Sequence, residues 1–440
     1  MFSKKDLAKL IIPLIIETTL SVTVGMSDII MVAYAGEAAV SGVSLVDSIN
    51  VLLINLLSAV ATGGAIVCSQ FLGKGRPERA CEAGTQLVSS VTILSALLMT
   101  LSLLFCSRIL RFLFGNLEAA VMTNARDYFF ICAISYPFMG IYNACAALFR
   151  SMNKAKVSMW TGLVMNVLNI GFNALFIYVV GLNAAGVALG TLISRLAGAV
   201  IMLYLIRKPD YLLHTSNYLK AGLDFSLIRR VMSIGIPSGM ENSMFQIGKI
   251  LVAGLITSFG TASIAANAAA NTIASFGCLA GNAIGLGLVT IVGQCVGASD
   301  YASARKHTKQ MLALTYFLFL IANGIIFIFS GQLCALYHLS PEATRMAAEV
   351  LRVSSVCTVL IWPTSFVMPN ALRASNDVAF TMAASIFSMW IFRIGFSYLL
   401  GRFLGLGLLG VWISMFVDWF VRSLFFVFRY RKNHLVFHAA

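Results

Sequence analysis

Long apolar runs dominate this sequence and limit its fold more than any other feature. We distinguish twelve along the 440 residues, each bounded by charged residues or by Gly, Asn and Pro turns. A helix needs about 20 mostly apolar residues to cross a bilayer, which each run supplies. With 59% hydrophobic and only 11% charged residues, the chain is predicted to be an all-α polytopic membrane protein. The predicted spans are 7–33, 45–72, 85–114, 128–149, 158–181, 184–206, 231–258, 268–296, 310–336, 346–372, 378–401 and 404–429.

The positions of Lys and Arg orient these spans. Basic residues give the chain a formal net charge of +14 and cluster in alternate connections and towards both ends. The positive-inside rule places those connections and both termini in the cytoplasm. No basic groove with interleaved aromatic residues occurs, so nucleic acid is not an expected partner. We expect a multi-pass protein of the cell membrane, with the lipid bilayer as its surroundings and a monomer as its working form.

The two halves of the sequence repeat each other at an offset of 224 residues. Coincidences of Pro, Glu and Gln in one register are unlikely to be accidental in so apolar a chain, and each half then contains six spans. An even number of spans makes the halves parallel repeats, which many transporters carry. We predict an N-lobe over 1–206, a cytoplasmic linker over 207–230 and a C-lobe over 231–440. The matches include Pro13 with Pro237, Glu17 with Glu241, Gln70 with Gln294 and Gly73 with Gly297.

Two carboxylates, Glu17 and Asp28, interrupt the first apolar run. Ionisable side chains inside a membrane are costly, so each is a functional candidate. Eleven residues at about 100° per residue amount to nearly three full turns, which predicts that both project from one face about 16 Å apart. Such an acidic stripe suits a cation relay. The alternative is that each carboxylate only bonds a neighbouring helix.

Asn169, Asn173 and Thr191 are the polar partners that the sequence offers to Asp28. The two asparagines are four residues apart and therefore share one face of the fifth span. Counted from the outer ends of the spans, Asp28, Asn173 and Thr191 lie at similar depths and are expected to meet. A carboxylate with amide and hydroxyl oxygens predicts a site for a hard monovalent cation such as Na⁺, or for a proton. Hydrogen bonding between helices is the alternative.

The second half places a base near the level at which the first half has an acid. Lys249 lies close to the level of Asp28 in the first half, and it either pairs with Glu241, pairs across the cleft between the lobes or titrates itself when desolvated. Arg195 and Arg393 are also deep in their spans, and structural pairing is the expectation for both. The substrate and coupling candidates are Glu17, Glu241, Gln246, Lys249 and Arg393.

Motifs for other chemistry are absent from the sequence. It contains no phosphate-binding G-x-x-x-x-G-K-[ST], no H-E-x-x-H and no G-x-S-x-G. The nine cysteines are scattered and predict neither a disulfide framework nor a zinc site. We therefore expect no enzyme and no cofactor other than a coupling ion. Transport driven by an ion gradient is what remains.

The motifs together resemble the multidrug and toxic compound extrusion (MATE) family of secondary transporters over essentially the whole chain. The resemblance implies twelve helices in two six-helix lobes arranged as a V. It also implies alternating access that exports organic cations, such as drugs or toxic metabolites, against entering Na⁺ or H⁺. The residues that carry it are Ser27–Val32, Gly36–Ala39, Ser69–Arg76, Val292–Ala298 and Gly235–Pro237.

The same resemblance implies roles for single residues. Asp28 looks like the first-helix aspartate that members use for cation coupling, and Asn169 and Thr191 match its partners. Asn173 departs from the pattern, because many members have a second aspartate there. Glu241 looks like the seventh-helix glutamate of another branch, whose acidic residue in the tenth helix is missing here. A related exporter or flippase of an anionic or lipid-linked substrate is the alternative function, because Lys249, Arg195 and Arg393 suit an anion.

Overall fold

A computed structural model describes residues 2–115, 118–215 and 222–432, and all regular structure in these ranges is helical. The helix α6 continues as a π-helical turn over Leu175–Val179. The first half contains α1 (Lys4–Ala33), α2 (Glu37–Gly73), α3 (Pro77–Phe114), α4 (Ala119–Ile134), α5 (Tyr136–Ser151), α6 (Ala155–Ala174) and α7 (Ala184–Ile206).

The second half follows the same plan with more irregular helices. A π-helical turn over Pro363–Val367 joins α12 to α13, and two more, Met389–Gly395 and Ser397–Phe403, extend α14. The helices are α8 (Phe225–Thr257), α9 (Thr261–Gly297), α10 (Tyr301–Ile328), α11 (Ser330–Ala335), α12 (Pro341–Trp362), α13 (Met368–Ala374), α14 (Val378–Ser388) and α15 (Gly407–Arg431).

Most of these helices are long and apolar enough to cross a membrane. Ten pass that test among the described residues, or eleven when α4 and α5, bent by 46°, are taken as one span. The remaining predicted span, 231–258, forms α8, which is 33 residues long but less apolar because it carries Arg229, Arg230, Glu241 and Lys249. The all-α membrane fold is confirmed, and α8 is the one helix of a predicted span that does not pass the test among the described residues.

Large apolar side chains cover much of the outer surface. Phe112 is 88% exposed, Val179 76% and Leu104 71%. Water-soluble monomers rarely expose apolar patches of this extent, whereas lipid tails solvate them without cost. The surface therefore agrees with the bilayer that the composition predicts.

The backbone repeats at the offset seen in the sequence. The helices α2 and α9 are both 37 residues long, and each begins after a glycine with a φ of 97°, Gly36 and Gly260. A side chain at that φ would be strained, so both turns need glycine. The turns after α5 and α13 use left-handed asparagines, Asn153 and Asn376, with φ of 59° and 66°.

The described residues pack as two compact units, which we call the N-unit (to Gly239) and the C-unit (from Met240). The chain passes from one to the other within α8. The predicted linker 207–230 is shorter than expected, because α8 begins at Phe225, where the Asp224 side chain caps it by accepting from the amides of Ser226 and Leu227 at 2.9 and 3.3 Å. Residues 216–221 of that linker lie outside the described residues.

Within the N-unit, the start of α8 packs closely on α2. A Cβ added to Gly63 would lie 2.8 Å from both the amide nitrogen of Gly235 and the carbonyl oxygen of Val231. Backbone atoms cannot yield as a flexible side chain can, so the two helices approach only because glycine faces backbone. One helical turn away from Gly235, Arg230 donates to the amide oxygen of Gln70 at 3.0 Å.

We expect Gly63→Ala to destabilise the N-unit by about 1–3 kcal/mol, because the added methyl overpacks a backbone contact. The measurement is the midpoint of thermal unfolding in detergent. Gly254→Ala is the matched control, since a Cβ there meets nothing within 4 Å. Equal midpoints for the two variants would contradict the close packing of α2 on α8.

Candidate functional site

The residues predicted to surround Asp28 form one hydrogen-bonded chain between α1, α6 and α7. Asn173 Nδ2 donates to Asp28 Oδ1 at 2.7 Å and to Asn169 Oδ1 at 3.2 Å. Asn169 Nδ2 in turn donates to Thr191 Oγ1 at 3.2 Å. Asn169, Asn173 and Thr191 are buried, whereas Asp28 is half-buried. The carboxylate is thus the member of the chain that an entering ion can reach, and its role in coupling stays a prediction.

One acceptor in this hydrogen-bonded chain lacks a donor among the described residues. Asn173 Oδ1 is buried and accepts no hydrogen bond from the described residues. It packs against Gly190, where an added Cβ would clash with it. An unsatisfied buried amide oxygen on the side chain that bonds the Asp28 carboxylate supplies a donor set made of oxygens, which fits a hard cation such as Na⁺. A proton on Asp28 fits the same place.

A second acidic group in the N-unit, Asp47 in α2, was missed by the sequence reasoning. Its Oδ1 accepts from Tyr128 OH at 2.9 Å and from Asn50 Nδ2 at 3.2 Å. Asn50 Oδ1 in turn accepts from Tyr136 OH at 2.7 Å. The predicted span started at residue 45, which put Asp47 at its edge, but α2 begins at Glu37 and includes it. The available signal was a carboxylate inside an apolar run.

Arg195 lies near this acidic group. Its Nη1 donates to Ser135 Oγ at 2.7 Å, and its charge acts on both Asp28 and Asp47. The expected structural role fits this hydrogen bond. Two acids and one base therefore share this part of the N-unit.

Glu17 contacts the same helix as Asp28, so both carboxylates of α1 face α6. Ser158 Oγ donates to Glu17 Oε2 at 2.8 Å, and Tyr142 OH to Oε1 at 3.4 Å. Arg150 Nη1 lies 3.9 Å from Oε1. Arg150, counted as a loop cation in the sequence, is directed back to a carboxylate within a membrane helix.

The repeat places an equivalent pair in the C-unit. Arg373 Nη2 donates to both carboxylate oxygens of Glu241, at 2.8 and 2.7 Å, and Arg373 Nη1 to Asn370 Oδ1 at 3.1 Å. Of the alternatives for Lys249, pairing with Glu241 is therefore wrong, because Arg373 already takes that carboxylate. Gln246 lies half-exposed on α8 and is not part of this pair.

Lys249 and Arg393 instead line a cavity of about 630 Å³ within the C-unit, which we call the C-unit cavity. Lys249 Nζ lies 5.3 Å and Arg393 Cζ 5.0 Å from the centre of the Phe245 ring. Arg393 is buried and has Asp418 Oδ2 at 4.0 Å, as its expected structural pairing requires. Asp418 Oδ2 also forms an ion pair with Arg422 Nη2, four residues later in α15, at 3.0 Å.

A family model described as MatE matches residues 13–175 and 237–399. The two stretches cover more than half of the chain, and they start 224 residues apart, the offset of the repeat. This chain belongs to the MATE family. Members of this family are membrane transporters, so the chain is a transporter and not an enzyme.

Relatives of similar length agree with this assignment. The "Uncharacterized transporter YisQ" of Bacillus subtilis is 27% identical over 430 residues, which cover 96% of this chain and 92% of the relative. The "Probable multidrug resistance protein NorM" of Thermotoga maritima is 23% identical, with 96% and 90% covered. The match therefore extends over nearly the whole length of each protein.

Solved MATE structures share the fold. The chain superposes with a TM-score of 0.92 on an outward-facing multidrug resistance MATE transporter at 18% identity, covering 98% of this chain and 96% of the other. It superposes with a TM-score of 0.91 on a transporter from Pyrococcus furiosus at 19% identity, with the same coverage. For that Pyrococcus furiosus protein, a binding pocket of reverse polarity suggests a different function.

We expect Arg373→Met to destabilise this MATE protein by about 3 kcal/mol or more, because it leaves the Glu241 carboxylate buried without a partner. The double variant Glu241→Gln, Arg373→Met should recover part of that loss. Arg79→Met is the control, since the Arg79–Glu82 pair is mostly exposed and worth at most about 1 kcal/mol. Thermal unfolding in detergent gives the comparison, and equal losses for Arg79→Met and Arg373→Met would contradict it.

Proposed function

We propose that this MATE protein is a cation-coupled antiporter that exports small organic molecules across the cell membrane by alternating access. Asp28 is the residue that binds the coupling ion, H⁺ or Na⁺. The observation that carries the proposal is the chain from Asp28 through Asn173 and Asn169 to Thr191, in which the carboxylate is the accessible member.

The charge of Asp28 is costly within a membrane unless neighbouring groups stabilise it. An ionised Asp28 is stabilised by the amide of Asn173, and that stabilisation weakens when H⁺ or Na⁺ neutralises the carboxylate. The same ion changes which groups around Asn173 can form hydrogen bonds, because Asn173 Oδ1 is an acceptor without a donor among the described residues. Ion binding at one residue thereby favours a different arrangement of α1, α6 and α7, which is how a coupling ion drives transport.

Organic cations are the cargo that the family resemblance implies. Several relatives of this chain carry names with "multidrug resistance" or "multidrug export". The Lys and Arg pattern supports cytoplasmic termini, and the repeat supports two lobes of six spans. A monomer stays the expectation for the working form. Each of these is part of the proposal.

An anionic or lipid-linked cargo is the second candidate. One observation favours it, namely that Lys249 and Arg393 line the C-unit cavity and that no carboxylate of the described residues does. Coupling at Asp28 is compatible with either cargo, because the coupling residues lie in the N-unit and this cavity lies in the C-unit.

We expect Asp28→Asn to lower the rate of gradient-driven efflux at least about tenfold. The reason is that an amide neither ionises nor carries a proton between the two states of the transporter. The measurement is efflux of ethidium, and in parallel of carboxyfluorescein, from proteoliposomes with an imposed pH or Na⁺ gradient. Asp127→Asn is the same chemical change at an exposed position and should transport like the parent protein. Unchanged efflux and ion dependence in Asp28→Asn would contradict the assignment.

We expect Asn173→Asp to increase the dependence of transport on Na⁺, because a second carboxylate adds a charged oxygen ligand beside Asp28. The measurement is the Na⁺ concentration that gives half-maximal efflux, which should fall. Asn242→Asp, the same chemical change at an exposed position of α8 outside the cavity of the C-unit, is the control. An unchanged or higher half-maximal concentration would contradict the role given to Asn173.

A further inference from the structure

We infer that the C-unit cavity binds the anionic group of an aromatic organic compound, such as a carboxylate or a phosphate. The inference rests on the proposed function as an exporter, and it names the chemical class of a cargo. It concerns the cavity lined by Lys249, Arg393 and several aromatic and amide side chains.

The charged side chains beside the cavity do not balance. Three cations surround the ring of Phe245, with Lys249, Arg393 and Arg422 all 5.0–5.3 Å from its centre. Asp418 is the carboxylate that pairs with two of them. Three positive charges against one negative charge leave an excess of two at membrane depth. Such an excess is costly unless an anion compensates it.

Of these three cations, Lys249 is the one that pairs with no carboxylate of the described residues and can bind a ligand. Among the described residues its ammonium contacts the face of Phe245 but has no hydrogen-bond acceptor or ion-pair partner. The side chain is exposed to the space it lines, so a ligand can reach it. An ammonium group offers three donors, and an anionic oxygen is the acceptor that it binds most strongly.

Two buried N–H groups of the cavity lining also lack acceptors among the described residues, whereas Trp412 Nε1 donates to Asn267 Oδ1 at 3.1 Å. Arg393 and Trp419 both line the cavity, and each keeps one buried N–H, Nε and Nε1, without a partner among the described residues. Buried donors without acceptors are rare in proteins, so two of them beside an unpaired ammonium indicate a missing acceptor. A cationic ligand would add donors and worsen this imbalance.

The volume and the aromatic lining of the C-unit cavity indicate the kind of ligand that fits it. Three of the five tryptophans of the chain, Trp362, Trp412 and Trp419, line it together with Phe245 and Phe366. Aromatic walls stack on flat ligands, and a volume of about 630 Å³ suits a drug-sized molecule. The asparagines 267, 271 and 282 supply neutral polar contacts along the same wall. An aromatic body with one anionic group fits both parts of this lining.

Binding can be measured without any gradient, through quenching of the cavity tryptophans. The protein in neutral detergent is titrated with three probes of similar size, 4-nitrobenzoate, 4-nitrobenzamide and (4-nitrobenzyl)trimethylammonium, with correction for absorbance. We expect saturable quenching by the anion and at least about tenfold weaker binding of the amide and of the cation. Equal or tighter binding of the cation would overturn the inference.

The variants test the part played by Lys249. Lys249→Met should weaken 4-nitrobenzoate binding about tenfold or more, and Lys249→Arg should retain it. Lys208→Met is the matched control, because Lys208 also lies over an aromatic ring, that of Tyr204 at 4.9 Å, but outside this cavity. An unchanged dissociation constant in a folded Lys249→Met protein would overturn the inference. If that variant does not fold, the three probes on the parent protein and on Lys249→Arg decide.

A lipid headgroup and a free compound could both supply the anionic group. Displacement of 4-nitrobenzoate by phosphatidylglycerol, but not by phosphatidylcholine, assigns the anion to a lipid. Absence of displacement by either lipid assigns it to a free compound, and both results support an anion site. Because no gradient is used, a failure here leaves coupling at Asp28 intact, and a failure of coupling leaves this binding result unaffected.

Discussion

A charged side chain inside a bilayer must be compensated, and this requirement organises the polar residues of the chain. The same compensation occurs once in each half, where a glutamate near the start of the repeat meets an arginine from a later helix. Glu17 has Arg150 at 3.9 Å, and Glu241 has Arg373 at 2.7 Å. Each pair links the first helix of its repeat to the helix that ends at the left-handed asparagine turn. Each pair therefore adds an ionic contact between two helices of its unit.

The two units differ in the charges that remain after this pairing. The N-unit keeps the acids Asp28 and Asp47 with one nearby base, Arg195. The C-unit keeps the base Lys249 beside Arg393. The two halves therefore share the Glu–Arg pair, and the charges that remain in each unit stand at different positions and differ in sign. An acid that an ion can reach suits ion coupling, and a base in an aromatic cavity suits binding of an anionic group. One polypeptide can thus place ion coupling in the N-unit and ligand binding in the C-unit.

Much of this structure could be predicted from the sequence, because its strongest signals are local or repeated. Apolar runs identified the spans, and the 224-residue offset identified the duplication. The cluster around Asp28 was predicted from depth and helical spacing alone. Asn169 and Asn173 share a face because they are four residues apart, and similar depths predicted that Asp28 and Thr191 would join them.

The remainder depended on contacts between distant residues. Arg150 and Arg373 follow apolar runs and were counted as loop cations, yet each folds back to a carboxylate more than 130 positions away. The partner of Glu241 could not be chosen between Lys249 and Arg373 from spacing. Helix starts were placed too late, because α2 and α9 begin with small and polar residues that give a weak apolar signal, and Asp47 then lay at the edge of its predicted span.

The proposed function depends on coupling between export and an ion gradient. The most direct test is the parent protein in proteoliposomes loaded with ethidium or carboxyfluorescein, with a pH gradient alone, a Na⁺ gradient alone, or neither. We expect rapid efflux of at least one dye under one of the two gradients and slow efflux when both are absent. Efflux that is equally fast in the absence of any gradient would contradict it.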